Sequence, residues 1–255
     1  MEIDWVLVTV ALVVGALVGL TGVGAGAIMT PVLVGFFGAS LPVAIATDLI
    51  FATVTKLIGV PFHHLQGTIN WSLAGRMWMG SIPGALIGVG IVLLAVSREQ
   101  TGWLVWPLVT IIFFTALTLG YRAMTGRGLP GRGAAPTPRH PAWALVGGFG
   151  IGSLVSLTSV GAGALGMALL VRLAPKDVEP RELVGTDLVH AIPVALVGGV
   201  VYSFFGLVDL HLLANLLTGS AVGVIGGSLL SGAVPSPILF ASLSATLLTA
   251  GYLLI

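Results

Sequence analysis

Residues 15–27 read GALVGLTGVGAGA, and residues 152–164 repeat that stretch as GSLVSLTSVGAGA, with ten of thirteen positions identical. The two copies are 137 residues apart. Further along, Thr-Asp-Leu at 47–49 returns at 186–188, and the glycines at 80, 84 and 88 return at 219, 223 and 227, both at an offset of 139. The chain is therefore an internal duplication, and its two halves are expected to share one fold.

The composition places most of the chain in a membrane. Of 255 residues, 56% are hydrophobic and 7% are charged, against roughly 25% charged in a soluble domain. The apolar runs are continuous rather than alternating, which indicates membrane helices and not barrel strands. A net charge of +1 argues against a nucleic-acid surface. The absence of Cys excludes disulfides and thiolate metal sites, and no residue pattern predicts a metal or a cofactor.

Eight apolar stretches predict the helices, at residues 5–37, 41–60, 71–96, 103–121, 142–174, 183–205, 210–231 and 236–255. Most have about the 20 residues that cross a bilayer core. The stretches 5–37 and 142–174 are longer and carry the repeated Gly-rich segment near the middle, so each is expected to be a helix, a break and a second short helix. Irregular backbone inside a bilayer is tolerated only where protein or water satisfies it, so the breaks should line a cavity.

The predicted fold is an all-α polytopic membrane protein built from two inverted-topology repeats. Each repeat is expected to have a broken or re-entrant helix hairpin and about three transmembrane helices. Whether a broken stretch turns back or crosses twice, each half makes an odd number of crossings, and an odd number inverts the second half. We expect the first repeat at residues 1–121, a linker at 122–141 and the second repeat at 142–255.

Arginine and lysine side chains predict the orientation. With the N-terminus outside, the cytoplasmic side receives Arg122, Arg127, Arg132, Arg139, Arg172, Lys176 and Arg181. Arg76 then lies near the cytoplasmic side, and Arg98 lies outside. Both termini are therefore predicted outside and the linker in the cytoplasm. The repeated glycines of 80–88 and 219–227 each form one helix stripe, which is expected to let another helix approach closely.

Ionisable side chains inside membrane spans are costly and need a reason. Asp48 and Asp187 lie several residues into their spans, at equivalent positions near the breaks. Two roles stay open for them. One is to accept hydrogen bonds from backbone N–H groups freed at the breaks, and the other is to exchange a proton, or to compensate a coupling cation, during transport. His190 lies three residues after Asp187 on the same helix face. It is either a proton relay or an uncharged residue that a neighbouring carbonyl satisfies.

Lys56 breaks the symmetry of the repeat, because Ala195 aligns with it in the second half. It lies eight residues after Asp48 on the same predicted helix. An asymmetric cation favours a functional role such as binding an anion. A lysine that snorkels from the cytoplasmic end of its helix would instead be structural, and both interpretations stay open.

The broken stretches give the strongest prediction of a site. A helix that begins inside the membrane points unsatisfied N–H groups and the positive end of its dipole at the cavity, which favours an anion. Inversion of one half would bring the two breaks to opposite sides of one central site. The residues expected there, with hydroxyls and backbone donors for an oxyanion, are Thr21, Gly22, Gly24, Thr158, Ser159 and Gly161. The alternative is that these glycines only let helices cross.

Sequence motifs argue against an enzyme. The chain has no Gly-x-Ser-x-Gly nucleophile and no His-Glu-x-x-His zinc motif, the patterns expected of common hydrolases. Residues 161–166 have the spacing of a dinucleotide-binding loop. That loop requires a preceding strand of a soluble domain, whereas these residues lie in an apolar membrane stretch, so no nucleotide is expected there.

The doubled pattern resembles a known family. GLTGVGAG at 19–26 with Ala-Thr-Asp at 46–48, and LTSVGAG at 157–163 with Gly-Thr-Asp at 185–187, are similar to the TauE/SafE membrane permeases, the sulfite-exporter family. The likeness covers nearly the whole chain. It implies a sulfur-containing oxyanion as substrate, since members are linked to moving sulfite, organosulfonates and related anions across bacterial inner membranes. The motif carries over Thr21, Gly22, Gly24, Gly26, Thr47, Asp48, Thr158, Gly161, Gly163, Thr186 and Asp187 as site residues.

We therefore predict a permease or exporter that moves such an anion by alternating access. Proton coupling through Asp48, Asp187 and His190 is a hypothesis. The alternatives are an anion channel, a carboxylate permease and, more distantly, an intramembrane enzyme. The expected surroundings are membrane lipid, in a bacterial inner membrane, with no cofactor and no nucleic acid. A homodimer stays open as the oligomeric state.

Overall fold

The computed structural model describes residues 3–21, 26–125, 142–161, 163–173, 180–230, 236–252 and 254. These ranges form helices and no strand, which confirms the all-helical membrane fold. The helices are α1 (Trp5–Thr21), α2 (Gly26–Gly35), α3 (Leu41–Leu65), α4 (Trp71–Ser97), α5 (Val105–Thr125), α6 (Ala142–Thr158), α7 (Ala164–Leu173), α8 (Pro180–Phe204), α9 (Leu210–Leu230) and α10 (Ser236–Tyr252), with one 3₁₀ turn at Gly102–Leu104. Within the described ranges, α3, α4, α5, α8 and α9 are long and apolar enough to cross a membrane.

Each long apolar stretch is divided into two helices, as its glycines predict. α1 and α2 flank residues 22–25, which lie outside the described ranges, and α6 and α7 flank residues 159–163. α2 and α7 have 10 residues each, or about 15 Å at 1.5 Å per residue. That is about half of a bilayer core roughly 30 Å thick, so neither helix can cross a membrane alone.

The predicted linker at 122–141 lies largely outside the described residues. α5 continues to Thr125 and so includes the first four positions of that segment. The boundaries of the two repeats stay a prediction.

The repeated glycines pack backbone against backbone between the two halves. The glycines of α4 lie against α6 and those of α9 lie against α1, so closely that a Cβ on any of them would overlap a main-chain carbonyl of the facing helix. The facing pairs are Gly80 with Leu145, Gly84 with Phe149, Gly88 with Ser153, Gly219 with Val8, Gly223 with Leu12 and Gly227 with Ala16. The contact of α9 with α1 therefore repeats the contact of α4 with α6, and each half donates the same helix to the other.

The equivalent helices α3 and α8 pack against each other in opposite directions. Ile50 in the first part of α3 contacts Gly199 in the last part of α8. Thr68, just beyond the end of α3, contacts Gly185 near the start of α8. Equivalent helices of inverted halves must run antiparallel. These contacts support the prediction of an inverted repeat.

The first broken stretch returns to the end of the bundle from which it starts. α1 begins beside the start of α9, where Asn215 Oδ1 accepts from Asp4 N at 3.1 Å. α2 ends just before α3, and the starts of α3 and α9 lie together because Thr47 Oγ1 accepts from Asp209 N at 3.0 Å. These contacts support a hairpin of α1 and α2 rather than two crossings, and equivalent contacts in the second half support the same arrangement there.

Tryptophans mark the ends of the helices. Five tryptophans lie at or near the start of a helix and are 43–70% exposed: Trp5, Trp71, Trp103, Trp106 and Trp143. Amphipathic indole rings concentrate at the level of the lipid headgroups. Their positions fit helices that begin at a membrane surface.

We expect Gly84→Ala to destabilise the protein and Gly90→Ala, in the same helix, to leave it intact. A Cβ at residue 84 would overlap the Phe149 carbonyl, whereas a Cβ at residue 90 meets nothing within 4 Å. Gly84→Ala should lower the free energy of unfolding by about 1–3 kcal/mol, the range for overpacking. Gly90→Ala should raise it by up to about 1 kcal/mol through helix propensity.

Unfolding of both variants in detergent measures this difference. Gly223→Ala and Gly226→Ala form the equivalent pair in α9, since a Cβ at residue 226 also meets nothing within 4 Å. Equal stabilities within each pair would contradict the close packing of the two halves.

Candidate functional site

The second break is a short turn between α6 and α7. The Thr158 hydroxyl donates to the Leu154 carbonyl at 2.7 Å and accepts from Val160 N at 3.1 Å. Ser159 has a φ of 57° and Gly161 a φ of 115°, in the left-handed region that glycine adopts without cost and serine does not. Ser159 Oγ is buried, with no hydrogen-bond partner in the described part of the chain. The Thr158 hydroxyl therefore satisfies backbone groups at the break, while the Ser159 hydroxyl is available to bind a ligand.

The second break touches the start of α2 in the other half. Gly26, the first residue of α2, packs so closely on the Ser159 carbonyl that a Cβ would overlap it. The same Cβ would lie 3.2 Å from Asp48 Oδ2. Three predicted site residues, one of them from the second half, are therefore together in the interior.

Asp48 is fully buried where these segments meet. Its Oδ2 accepts from the Thr30 hydroxyl of α2 at 2.7 Å. The Ser159 hydroxyl lies beside the carboxylate, but Asp48 Oδ1 makes no hydrogen bond with any described residue. One oxygen of Asp48 thus has a structural bond, and the other is available to a ligand or a proton.

Asp187 occupies the equivalent position in α8 and attracts Lys56 of α3. Asp187 is 7% exposed and Lys56 is 9% exposed. The ammonium group is attracted most strongly to Asp187 and more weakly to Asp48. Asp187 Oδ1 packs against Gly166 and lacks a hydrogen-bond partner in the described ranges. Lys56 is therefore buried and attracted to two acids, rather than extended into water.

His190 lies one turn after Asp187 and contacts α4. Its Nε2 is 3.0 Å from Ser81 Oγ, and its carbonyl accepts from Trp78 Nε1 at 3.1 Å. Its Nδ1 has no partner among the described residues. An imidazolium would need acceptors for two N–H groups, so this geometry suits a neutral ring.

Thr47 and Thr186 join the two halves. Thr47 Oγ1 accepts from the N–H of Asp209, which caps α9, at 3.0 Å. Thr186 Oγ1 accepts from the N–H of Asn70, which caps α4, at 2.9 Å. The two bonds are equivalent under the repeat. In this conformation each hydroxyl serves a helix start of the other half, and its predicted role in substrate binding stays a prediction.

The other predicted site residues are only partly described. Gly22 and Gly24 lie outside the described ranges, and so does the side chain of Thr21. The Gly161 and Gly163 carbonyls accept backbone hydrogen bonds from the first turn of α7 at 3.0–3.1 Å. Among the described residues, no group of three or more His, Asp or Glu side chains could hold a metal ion.

Several polar residues near the site did not stand out in the sequence. Thr30 is a lone hydroxyl in an apolar stretch, and Met167 takes its place in the second half. Ser81 directly follows Gly80, and Ser220 directly follows the equivalent Gly219. Comparison of the two repeats could therefore have revealed Ser81. Asn70 and Asp209 occupy equivalent positions in the two repeats. Asn or Asp just before an apolar run is a signal for a helix N-cap.

Comparisons with known proteins agree with this architecture. The family model described as sulfite exporter TauE/SafE matches residues 7–254. The chain belongs to the TauE/SafE family. Probable membrane transporter protein YjnA of Bacillus subtilis (strain 168) is 37% identical to it over 229 residues, which cover 88% of this chain and 89% of YjnA. Probable membrane transporter protein YdhB of the same organism is 25% identical over 254 residues, 98% of this chain and 99% of YdhB. No solved structure matches the chain significantly.

Membership of the TauE/SafE family confirms the resemblance drawn from the doubled motif. Together with the relatives, it supports a multi-pass membrane transporter and not an enzyme. YjnA and YdhB carry no substrate in their names. The chemistry of the TauE/SafE site therefore has to be argued from its residues.

We expect Thr47→Val to destabilise the protein by about 1 kcal/mol or more, because it leaves the N–H of Asp209 without its acceptor. Thr53→Val in the same helix is the control, since among the described residues the Thr53 hydroxyl bonds only to the Leu49 carbonyl one turn earlier. It should change the free energy of unfolding by less than about 0.5 kcal/mol, because the helix keeps its own backbone bonds. Unfolding in detergent compares the two, and an equal loss in both would contradict a special role for the bond between the halves.

Proposed function

We propose that this TauE/SafE protein is a secondary transporter that carries a small sulfur-containing anion, such as sulfite or an organosulfonate, across the bacterial inner membrane. It works by alternating access of two inverted halves and couples the anion to a proton at Asp48, Asp187 or both. The description of the family supports the substrate class. The antiparallel packing of α3 on α8 supports the inversion on which alternating access would depend.

The contact of Gly26 with Ser159 beside Asp48 carries the proposal. It brings the start of α2, whose first N–H groups lack helical acceptors, to the second break in the protein interior. Such N–H groups and the positive end of the helix dipole favour anions. The Ser159 hydroxyl beside Asp48, which has no hydrogen bond within the described ranges, adds a donor, and Lys56 adds positive charge. Converging hydroxyl and N–H donors suit an anion with several oxygens.

The position of Asp48 supports proton coupling. An ionised carboxylate beside the start of α2 repels an incoming anion, and the repulsion is strong away from water. Protonation of Asp48 removes this repulsion and leaves the helix start and Lys56 to the anion. Anion and proton then bind together, so anion binding becomes tighter as the pH falls.

An anion channel and a carboxylate permease are the nearest alternatives. Uptake by a transporter into proteoliposomes saturates with substrate and follows the driving gradient of a coupled ion. Uptake through a channel follows the gradient of the anion itself. A carboxylate permease differs from the proposed transporter in the ligands that it binds. A planar carboxylate has two oxygens, whereas sulfite and a sulfonate have three.

A thermal unfolding assay on the purified protein tests the class of anion. The panel is sulfite, sulfoacetate, taurine, thiosulfate, sulfate and acetate, with sodium chloride at matched ionic strength as the control. A ligand at 100 times its Kd stabilises the state that binds it by about 2.7 kcal/mol. We expect at least one sulfite or sulfonate ligand to raise the Tm by several degrees and acetate to leave it unchanged. Equal shifts with acetate and chloride would contradict the proposed substrate class.

We expect uptake of methanesulfonate into proteoliposomes to rise as the outside is acidified, because each anion enters with a proton. A sulfonate stays ionised over this range, so the pH dependence reports the protein. Asp48→Asn/Asp187→Asn should change that dependence, because neither carboxyl group is left to take the proton. Asp209→Asn is the matched control, because the Asp209 side chain caps the start of α9 and Asn is an equally good cap. An unchanged pH profile in the double variant would remove the proton role of both acids.

A further inference from the structure

One lysine and two equivalent aspartates are buried in the packed helices α3 and α8. The exposed fractions of Lys56, Asp48 and Asp187 are 9%, 0% and 7%. The duplication supplies the acid twice and the cation once, because the buried Ala195 stands where a second lysine would lie. The Oδ1 atom of each acid lacks a hydrogen-bond partner in the described part of the chain. Two carboxylate oxygens are thus open to protons, while only one positive charge balances them.

The other ionisable groups on the packed helices do not change this charge balance. His190 suits a neutral ring, since only one of its nitrogens has a partner among the described residues. Glu182 at the start of α8 accepts from Asn70 Nδ2 at 3.1 Å. Asp209 caps α9, and Arg76 of α4 is exposed. Lys56, Asp48 and Asp187 therefore form the charge cluster of the described interior.

We propose that Lys56 fixes the coupling ratio at one proton for each monovalent anion. This inference rests on the proposed function and adds the stoichiometry. An uncompensated charge in a membrane interior is costly, so the cluster is most stable when its charges sum to zero. The empty cluster reaches zero with Lys56 charged, one acid ionised and the other protonated. When a monovalent anion binds, the second acid must also take a proton, and the sum is again zero.

The charge balance makes different predictions for each variant. With Asp48→Asn or Asp187→Asn alone, the remaining acid is ionised in the empty state and protonated in the loaded state, so one proton still accompanies each anion. With both acids replaced, an ammonium group at Lys56 has no counter-charge in the empty state, so Lys56 releases its proton there and takes it up again with the anion. The double variant therefore still carries one proton with each anion. In Lys56→Met/Asp48→Asn/Asp187→Asn none of the three groups is left to take a proton, so transport must move net charge across the membrane.

Accumulation of methanesulfonate in proteoliposomes tests this ratio. A pH gradient and a potassium diffusion potential set with valinomycin are applied separately. The wild type and each single Asp→Asn variant should accumulate the anion about tenfold for each pH unit and should not respond to the potential. Lys56→Met/Asp48→Asn/Asp187→Asn should not respond to the pH gradient and should accumulate the anion about tenfold for each ~59 mV, the value for one charge. The one-to-one ratio would be wrong if accumulation by the wild type responded to the potential, or if accumulation by a single variant no longer responded to the pH gradient.

A second measurement tests the role of Lys56 independently of transport. Lys56→Met leaves two buried acids without a cation, so it should lower the Tm. Lys56→Met/Asp187→Asn removes one of those acids and should recover part of the loss, while Lys56→Arg keeps the charge and should stay near the wild type. A double variant no more stable than Lys56→Met would overturn the charge balance.

The two experiments separate the inference from the proposed function. If the wild type accumulates none of the sulfur anions that were tested, the proposed function is wrong, and the Tm comparison still decides whether Lys56 balances the two acids. If the wild type accumulates methanesulfonate in response to the potential, the proposed transport function is supported and the one-to-one ratio is wrong.

Discussion

A peptide group that leaves a helix inside a bilayer finds no water, so the protein itself must satisfy it or enclose it. The described residues of the second break contain such groups, and other parts of the fold cover them. At the second break, the Thr158 hydroxyl bonds to the exposed backbone, and the start of α2 from the other half closes on the Ser159 carbonyl. This coverage requires the halves to approach at backbone distance, which the glycines of α4 and α9 permit.

The same duplication makes the scaffold symmetric and leaves the chemistry asymmetric. Glycine stripes, helix caps and the bonds of Thr47 and Thr186 occur once in each half. Lys56 and His190 do not, because Ala195 and Phe51 take their places in the other half. Two equivalent surfaces allow a protein to open to either side of a membrane with similar contacts. A binding site between them gains selectivity only from residues that break the equivalence.

The sequence predicted the helices and their breaks well, because glycine-rich interruptions and continuous apolar runs are local signals. It also predicted that Asp48 and Asp187 matter, since acids within apolar spans are rare. It could not predict that Thr47 and Thr186 bind the starts of α9 and α4, because that contact depends on how two distant halves pack. Nor could it separate a snorkelling Lys56 from a buried one, since helix position alone does not say which groups surround a long side chain. The substrate class rests on the family and not on any single contact.

We propose that an anion binds where the second break meets the start of α2. A single introduced thiol tests this binding site most directly. The chain has no Cys, so Ser159→Cys introduces one reporter at the proposed site, and Ser97→Cys introduces another at an exposed helix end. The rate of modification by a small neutral maleimide is measured in proteoliposomes with and without methanesulfonate at a concentration that saturates uptake. We expect the anion to slow modification of Ser159→Cys several-fold and to leave Ser97→Cys unchanged. Equal rates for Ser159→Cys with and without the anion would contradict a binding site at the break.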